Sequence, residues 1–441
     1  MQKIETTLQL SAGDLVGHLN CRYLTGLDLK VANGELAKPK VWDPVLATLA
    51  ERGALHEQGY IEHLKATGLA VTRIDGIGVD AAALAATRVA MERGDPVIAQ
   101  AALQAGQWSG RADVLCRVET PSRLGAWSYE ATDTKLARET KGNTVLQICL
   151  YSDLLSEMQG TEAVSAYVVP PGTDYREEPS RIADSAAYYR HVRISLEQAI
   201  ASPSPVGAYP DPIEHCDICR WRIHCDGRRR ADDHMSLVAG ISKSQIGELE
   251  RHGIGTMAAL AALPVPLEWR PDRGAAQSYE KIREQARIQV EGRAKGEVLS
   301  EALPVVAKFG LCRLPEPSPG DIFFDFEGDP FVGDGGLEFL FGYLYADVKG
   351  ALCYEGDWAS TREEERLAFE RFIDFVTERQ KTYPSLHIYH FAPYEPAALK
   401  RLMGRYATRE NEVDNFLRTE TFIDLYAVVR HAIRASVESY S

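Results

Sequence analysis

The chain has no apolar run of the roughly 18 residues that a membrane-spanning helix requires. Its longest candidate, residues 337–348, is interrupted by Gly342 and Asp347. The first residues, MQKIETTLQLSAGD, lack the cationic end and apolar core of an export signal, so a cytoplasmic location is expected. No G-x4-G-K-[ST] segment occurs, which leaves these residues without a phosphate-binding loop for a nucleotide-driven motor. Positive charge is scarce: 49 Lys and Arg stand against 63 Asp and Glu, for a net charge of −14. That balance argues against a surface coated nonspecifically by nucleic acid. It leaves room for a local basic segment, and CDICRWRIHCDGRRR at 216–230 is one, with five Arg against two Asp.

What is present is an ordinary globular mixture, 45% hydrophobic and 25% charged over 441 residues. At roughly 150 residues per domain, the length suggests about three units. An α/β first part is expected over 1–230. Ser11 and Asp14 read as a helix start. Helices are expected near 44–67, 79–93, 143–158 and 180–201, and strands at 107–119, 126–136 and 164–169. A helical part follows over 231–314, where two short helices around the HGIG turn resemble a helix–hairpin–helix. Such a turn either grips a nucleic-acid backbone or serves as a packing spacer. After the Pro- and Gly-rich PEPSPGD, a third part over 315–441 is again α/β. Strands are expected at 322–327, 338–346 and 386–391 and helices at 361–379 and 394–405, in a domain expected to be incomplete at its C-terminal end.

Eight cysteines without an export signal point to a reducing compartment, where metal binding or burial is favoured over disulfides. Cys216, Cys219 and Cys225 have the spacing C-x2-C-x5-C and need a distant fourth ligand, for which Cys21 is placed after the first helix. Zinc and an iron–sulfur cluster both fit this spacing, with His215 and His224 adjacent as further zinc ligands. Cys116 and Cys149 sit in apolar patterns and read as core thiols; Cys312 and Cys353 have no partner at ligand spacing. Trp221, between Arg220 and Arg222, suits base stacking or packing against the cysteine site.

A second constellation is acidic. Asp113 lies in GRADVL, and Asp133, Thr134 and Lys135 in YEATDTKLA. On a strand, residues i and i+2 share a face about 6.7 Å apart, so Asp133 and Lys135 point the same way. If the two strands pair as a hairpin, Asp113 faces Asp133. Two carboxylates and a strand carbonyl make a hard oxygen site for Mg²⁺ or Mn²⁺, with the lysine holding the attacking water. His56 offers a nitrogen ligand, and Gln147 and Tyr151 share one helix face at i, i+4.

The ordered set His56, Asp113, Asp133-Thr134-Lys135, Gln147-x3-Tyr151, framed by Cys21 and by Cys216, Cys219 and Cys225, resembles the RecB-like nucleases of the PD-(D/E)XK fold. It is similar to the iron–sulfur branch that includes the AddB nuclease and the CRISPR-associated RecB-type exonucleases. The resemblance covers roughly residues 10–230. It implies a 4Fe-4S cluster on the four cysteines, a divalent metal held by His56, Asp113 and Asp133, and Lys135 as the catalytic lysine. It also implies Gln147 and Tyr151 as the Q-x3-Y motif, single-stranded DNA ends as substrate in DNA repair or processing, and a helicase as partner or as a further part of the protein. The alternative is a cluster-stapled nucleic-acid-binding module without cleavage.

The third part has its own acids. FFDFEGDP places Asp325 and Glu327 at i, i+2 on a strand; Glu395 and Asp424 follow on later elements. Such a set can hold two Mg²⁺ about 4 Å apart for phosphodiester cleavage. Asp325 and Glu327 resemble the first motif of the RNase H-like exonucleases of the DEDD type.

Overall fold

The computed structural model describes residues 1–202, 209–333 and 335–440. The chain divides into two compact units, 1–228 and 229–441.

The first unit opens with a small hairpin, β1 (Gln2–Ile4) and β2 (Thr7–Gln9), followed by α1 (Ala12–Asn20) and α2 (Arg22–Ala32). As the sequence suggests, Ser11 starts α1: its N–H and hydroxyl donate to the Asp14 carboxylate at 2.9 and 2.8 Å. Then come α3 (Pro44–Ala66), β3 (Val71–Arg73), α4 (Ala81–Arg93), β4 (Val97–Ala105), β5 (Trp108–Val118) and β6 (Ser128–Thr134). The unit continues with α5 (Gly142–Gln159), β7 (Ser165–Val169), β8 (Glu178–Arg181) and α6 (Ile182–Ala201). Asp43 caps α3 by accepting from the N–H groups of Val45 and Leu46, with Pro44 at the first helical position.

Six strands form one sheet in the order β3-β4-β5-β6-β7-β8. β4, β5 and β6 are antiparallel neighbours, and β6 and β7 run parallel. Two layers cover this sheet. Leu15 of α1, Met91 of α4, Leu150 of α5 and Leu196 of α6 pack with Ile98, Leu115 and Ala131. Tyr60, Ile61 and Leu64 of α3 pack with Val97, Ala99 and Val114. β6 lies between the layers and is buried along its whole length. A polar side chain on it is therefore withdrawn from water.

α7 (Arg222–Ala231) lies at the boundary between the units. The second unit continues with α8 (Lys243–Arg251), α9 (Met257–Ala261), α10 (Ala276–Lys295) and β9 (Ser300–Ala302). Ser242 caps α8, Thr256 caps α9, and Gly253 between them takes φ +78°, a left-handed conformation that glycine adopts without strain. Met235, Leu249, Met257 and Tyr279 give this segment a core of its own.

A second sheet follows: β10 (Ile322–Asp329), β11 (Leu337–Ala346), β12 (Leu352–Trp358), α11 (Arg362–Thr382), β13 (Ile388–His390), α12 (Tyr394–Tyr406), α13 (Glu410–Arg418) and β14 (Phe422–Asp424). The chain then forms α14 (Leu425–Ala432) and β15 (Ile433–Ala435), which pairs with β9. The sheet order is β12-β11-β10-β13-β14: an antiparallel meander whose first strand then takes a parallel neighbour. β10 alternates strictly. Ile322, Phe324 and Phe326 point into a core with Phe369 and Phe372 of α11, while Phe323, Asp325 and Glu327 are exposed on the other face. Among the described residues no helix is long and apolar enough to cross a membrane.

Candidate active sites

In the first unit the site is built where β5 and β6 end their ladder. The last pair is Val114↔Thr132, which brings Asp113 and Asp133 together one step further along. Asp113 is fixed by two contacts to its Oδ2, from the N–H and the hydroxyl of Thr134, both at 2.8 Å. Asp133 has no exposed surface. Its Oδ1 accepts from Gln147 Nε2 at 3.1 Å, and the same amide donates to the Tyr151 hydroxyl at 3.0 Å. Its Oδ2 lies 2.6 Å from Lys135 Nζ without an aligned hydrogen bond. Asp113, Asp133, Lys135, Gln147 and Tyr151 thus meet in one place.

The electrostatics follow from this packing. Burial, and then the negative charge of Asp113, push the Asp133 carboxyl up to about 7, with Lys135 opposing. Burial, and then the charges of Asp133 and Asp113, raise Tyr151 well above the usual phenol range, so it stays a protonated donor.

His56 takes a neighbouring position. Its Nε2 lies 3.0 Å from the Val169 carbonyl, which also accepts the Lys135 N–H at 3.1 Å, and its ring stacks on Tyr175 at 5.7 Å. The adjacent Glu57 faces the acid pair. Burial, and then the charge of Asp113, raise its carboxyl, and Gln100 donates to it at 2.6 Å. Gln100 in turn accepts from Arg111 at 3.0 Å. Gln100 has φ +58° inside a strand, and the β4–β5 ladder skips the Gln100–Asp113 position between Ala99↔Val114 and Ala101↔Ala112. A left-handed non-glycine residue costs of order 1–3 kcal/mol, and here that strain sits beside the acid pair. Sequence reasoning passed over Glu57 and Gln100. The only signal was a second acid directly after His56.

In the second unit Asp325 and Glu327 line a cleft of ≈ 440 Å³ with Phe323, Tyr354, Tyr389 and His390. Burial, and then the nearby Glu395, raise the Asp325 carboxyl. Glu395, at the start of α12, is buried; its Oε2 has no hydrogen bond and lies 3.2 Å from His390 Nδ1. Three of the four expected acids therefore gather near the end of β10. Asp424 has a different contact set. Its Oδ1 accepts from the N–H groups of Ala392, Tyr426 and Ala427 at 3.0, 2.9 and 3.3 Å, which caps α14 and ties it to the turn after β13. His390 is the addition that the sequence did not announce.

Residues 322–441 match a family model of the RNase_H superfamily. The match begins at the first residue of β10 and spans Asp325, Glu327, Glu395 and Asp424. RNase H-like domains are typically metal-dependent nucleases that use Mg²⁺ or Mn²⁺, so nuclease-type processing of nucleic acid is the function this part of the chain supports. No curated protein matches the chain.

The donor sets suit a hard cation. The RNase H-like domain offers Asp325, Glu327 and the unbonded Glu395 Oε2; the first unit offers Asp113 and the unaligned Asp133 Oδ2. Among the described residues no three His, Cys, Asp or Glu side chains already close on one point as ion ligands. At Asp133, Lys135 supplies the compensating charge instead.

The four expected cysteines converge as well. Cys21, Cys216, Cys219 and Cys225 line one small cavity, together with Leu24, Leu27 and Trp221. The Cys219 thiol is raised by burial and by Cys216 and Cys21 beside it, and Ile213 donates its N–H to Cys216 Sγ at 3.4 Å. Trp221 is buried against these thiols and donates to Asp28 at 3.0 Å, so its ring packs there and is not open to a nucleobase. Cys149 is in the main core, Cys116 is half-buried beneath α3, and Cys312 is exposed.

Proposed function

We propose that the chain is a divalent-metal-dependent nuclease that hydrolyses phosphodiester bonds of DNA, at single-stranded ends, with a PD-(D/E)XK-type site in its first unit. One observation carries this reading: a fully buried Asp133, beside Asp113 and paired with Lys135, at the end of a central strand. Taking a carboxylate out of water costs several kcal/mol, and stability alone gives no reason to retain it there. Asp113, Asp133 and the backbone carbonyl between Asp133 and Lys135 would hold Mg²⁺ or Mn²⁺, with His56 or Glu57 adjacent. When bound, that ion supplies charge stabilisation at the phosphoryl oxygens and an acidified water.

The chain's own residues do the rest. Lys135, tethered by Asp133, holds the attacking water and offsets negative charge as it develops. Gln147 fixes the orientation of Asp133, and Tyr151 is placed as a neutral donor toward substrate. Left-handed Gln100 anchors Glu57 beside Asp113.

The four-thiol cavity supports a 4Fe-4S cluster as the structural cofactor. A single tetrahedral zinc needs its sulfurs about 3.8 Å apart around one point. A 4Fe-4S cluster takes four thiolates as well, and the four thiols lining this cavity are that donor set. A strand-separating helicase would supply the single strand. The test is incubation of end-labelled single-stranded DNA with Mn²⁺. The wild-type chain and Asp325→Asn cleave it, whereas Asp133→Asn loses the activity assigned to the first unit. Cleavage unaffected by Asp133→Asn would remove that site from the account and leave the β10 acids as its source, whereas no cleavage by any of the three proteins would favour the second reading, a cluster-stapled binding module without cleavage.

A further inference from the structure

The second unit holds a cavity of ≈ 590 Å³ that neither acid set uses. It lies within the size range of small-ligand sites. Val306, Phe309 and Ile433 form apolar wall, and Lys281 and Arg430 bring positive charge. Val306 and Phe309 are 53% and 55% exposed, and the edge of one ring meets the other where Phe309 and His431 lie 5.9 Å apart. The wall is held by backbone: the Leu303 N–H donates to the Ala432 carbonyl at 2.8 Å, and β9 pairs with β15.

The cations divide into two kinds. Arg434 is committed to Glu301 and Glu284. Lys281 and Arg430 have no carboxylate partner among the described residues, and Arg430 only lies over the Tyr426 ring at 6.0 Å. In a chain of net charge −14, two uncompensated cations at an apolar cavity with an open aromatic face fit an anion that carries a flat apolar body. A nucleotide of a single strand has that chemistry. A duplex keeps its bases stacked and paired, so only an unpaired base can enter. Arg430, His431 and Ile433 belong to the residues that match the RNase_H superfamily, which makes nucleic acid the anion favoured over an acidic peptide.

We propose that this cavity docks one unpaired nucleobase of a single strand, with the flanking phosphates on Lys281 and Arg430. The inference rests on the nucleic-acid reading of the chain for the identity of the anion.

The test uses the full chain in EDTA, where cleavage is silent, and fluorescence anisotropy of a labelled oligothymidylate across a salt series. In Lys281→Ala/Arg430→Ala the slope of log affinity against log salt falls by about 1.4, about 0.7 for each phosphate that is no longer neutralised. Phe309→Ala weakens oligothymidylate binding about tenfold and leaves an abasic strand unaffected, because a stacked base is what it loses. Circular dichroism melts confirm folding; Lys281 and Arg430 are exposed, so the double variant stands as the independent arm. Unchanged affinity and slope in both variants overturns the proposal while leaving the nuclease reading intact. An acidic peptide that binds wild type and not the double variant, with oligonucleotide binding unchanged, overturns it in favour of a protein partner. No binding of any oligonucleotide by wild type overturns the nuclease reading along with it.

Discussion

Asp133→Asn has a consequence that runs against the usual direction of a buried substitution. In the folded chain the Asp133 carboxyl is pushed from 3.8 up to about 7 by burial and by Asp113. Between those values the folded state holds a proton that the unfolded state has released. The stability associated with this group is therefore fully present below about pH 3.8 and is lost as pH rises to about 7. The interval corresponds to at most about 4 kcal/mol, of which about 3 kcal/mol falls between pH 5 and pH 7. Asparagine cannot ionise and keeps the shape that Gln147 contacts. In EDTA, calorimetric melts should show wild type losing stability from pH 5 to pH 8 more steeply than Asp133→Asn, so that the variant gains on wild type by up to about 3 kcal/mol. Any fixed cost of leaving Lys135 without its anion cancels in that difference. Mn²⁺ should reverse the wild-type loss, with a larger stabilisation at pH 8 than at pH 5, and stabilise Asp133→Asn only as far as the β10 acids bind it. Parallel pH profiles for the two proteins would refute the idea that burial and Asp113 destabilise the Asp133 charge.

Further outcomes follow from the same geometry. Lys135→Ala should lower the cleavage rate of the first unit by about a hundredfold while leaving Mn²⁺ binding measurable by calorimetry, since the carboxylates remain. Gly110→Ala puts a methyl group 2.6 Å from Tyr151 Cε1. It should cost about 1–3 kcal/mol in melts and reduce activity by displacing the Tyr151–Gln147 pair. Anaerobically purified protein should contain iron and acid-labile sulfide, and Cys219→Ser should remove both and lower the melting temperature; zinc without iron in anaerobic wild type would reassign the cofactor. In an Asp133→Asn background, any remaining Mn²⁺-dependent cleavage should disappear on adding Asp325→Asn, and its survival would remove the β10 acids from the chemistry.

How much of this was legible in the sequence depended on the distance over which the cause acts. The Asp113–Asp133 encounter followed from two adjacent strands and the two-residue period, and the register delivers it. The convergence of Cys21 on Cys216, Cys219 and Cys225 was legible because three thiols at tight spacing need a fourth. β4 was missed because VIAQAALQA is alanine-rich and buried on both faces, so it shows neither strand propensity nor alternation. β12, LCYEGDW, was missed because its glycine and charges break the pattern of a largely exposed edge strand. Glu57 and Gln100 meet across 43 residues through a left-handed backbone that no local pattern announces. The aromatic Trp221 had two readings in sequence, and burial against the thiols decided between them.

The most direct measurement is the anomalous signal from a crystal of the protein soaked in Mn²⁺. The account predicts a peak within about 2.3 Å of carboxylate oxygens of both Asp113 and Asp133, with Lys135 Nζ displaced toward the metal-bound water. A soaked crystal with no peak there, and with Lys135 still clasping Asp133, would contradict it.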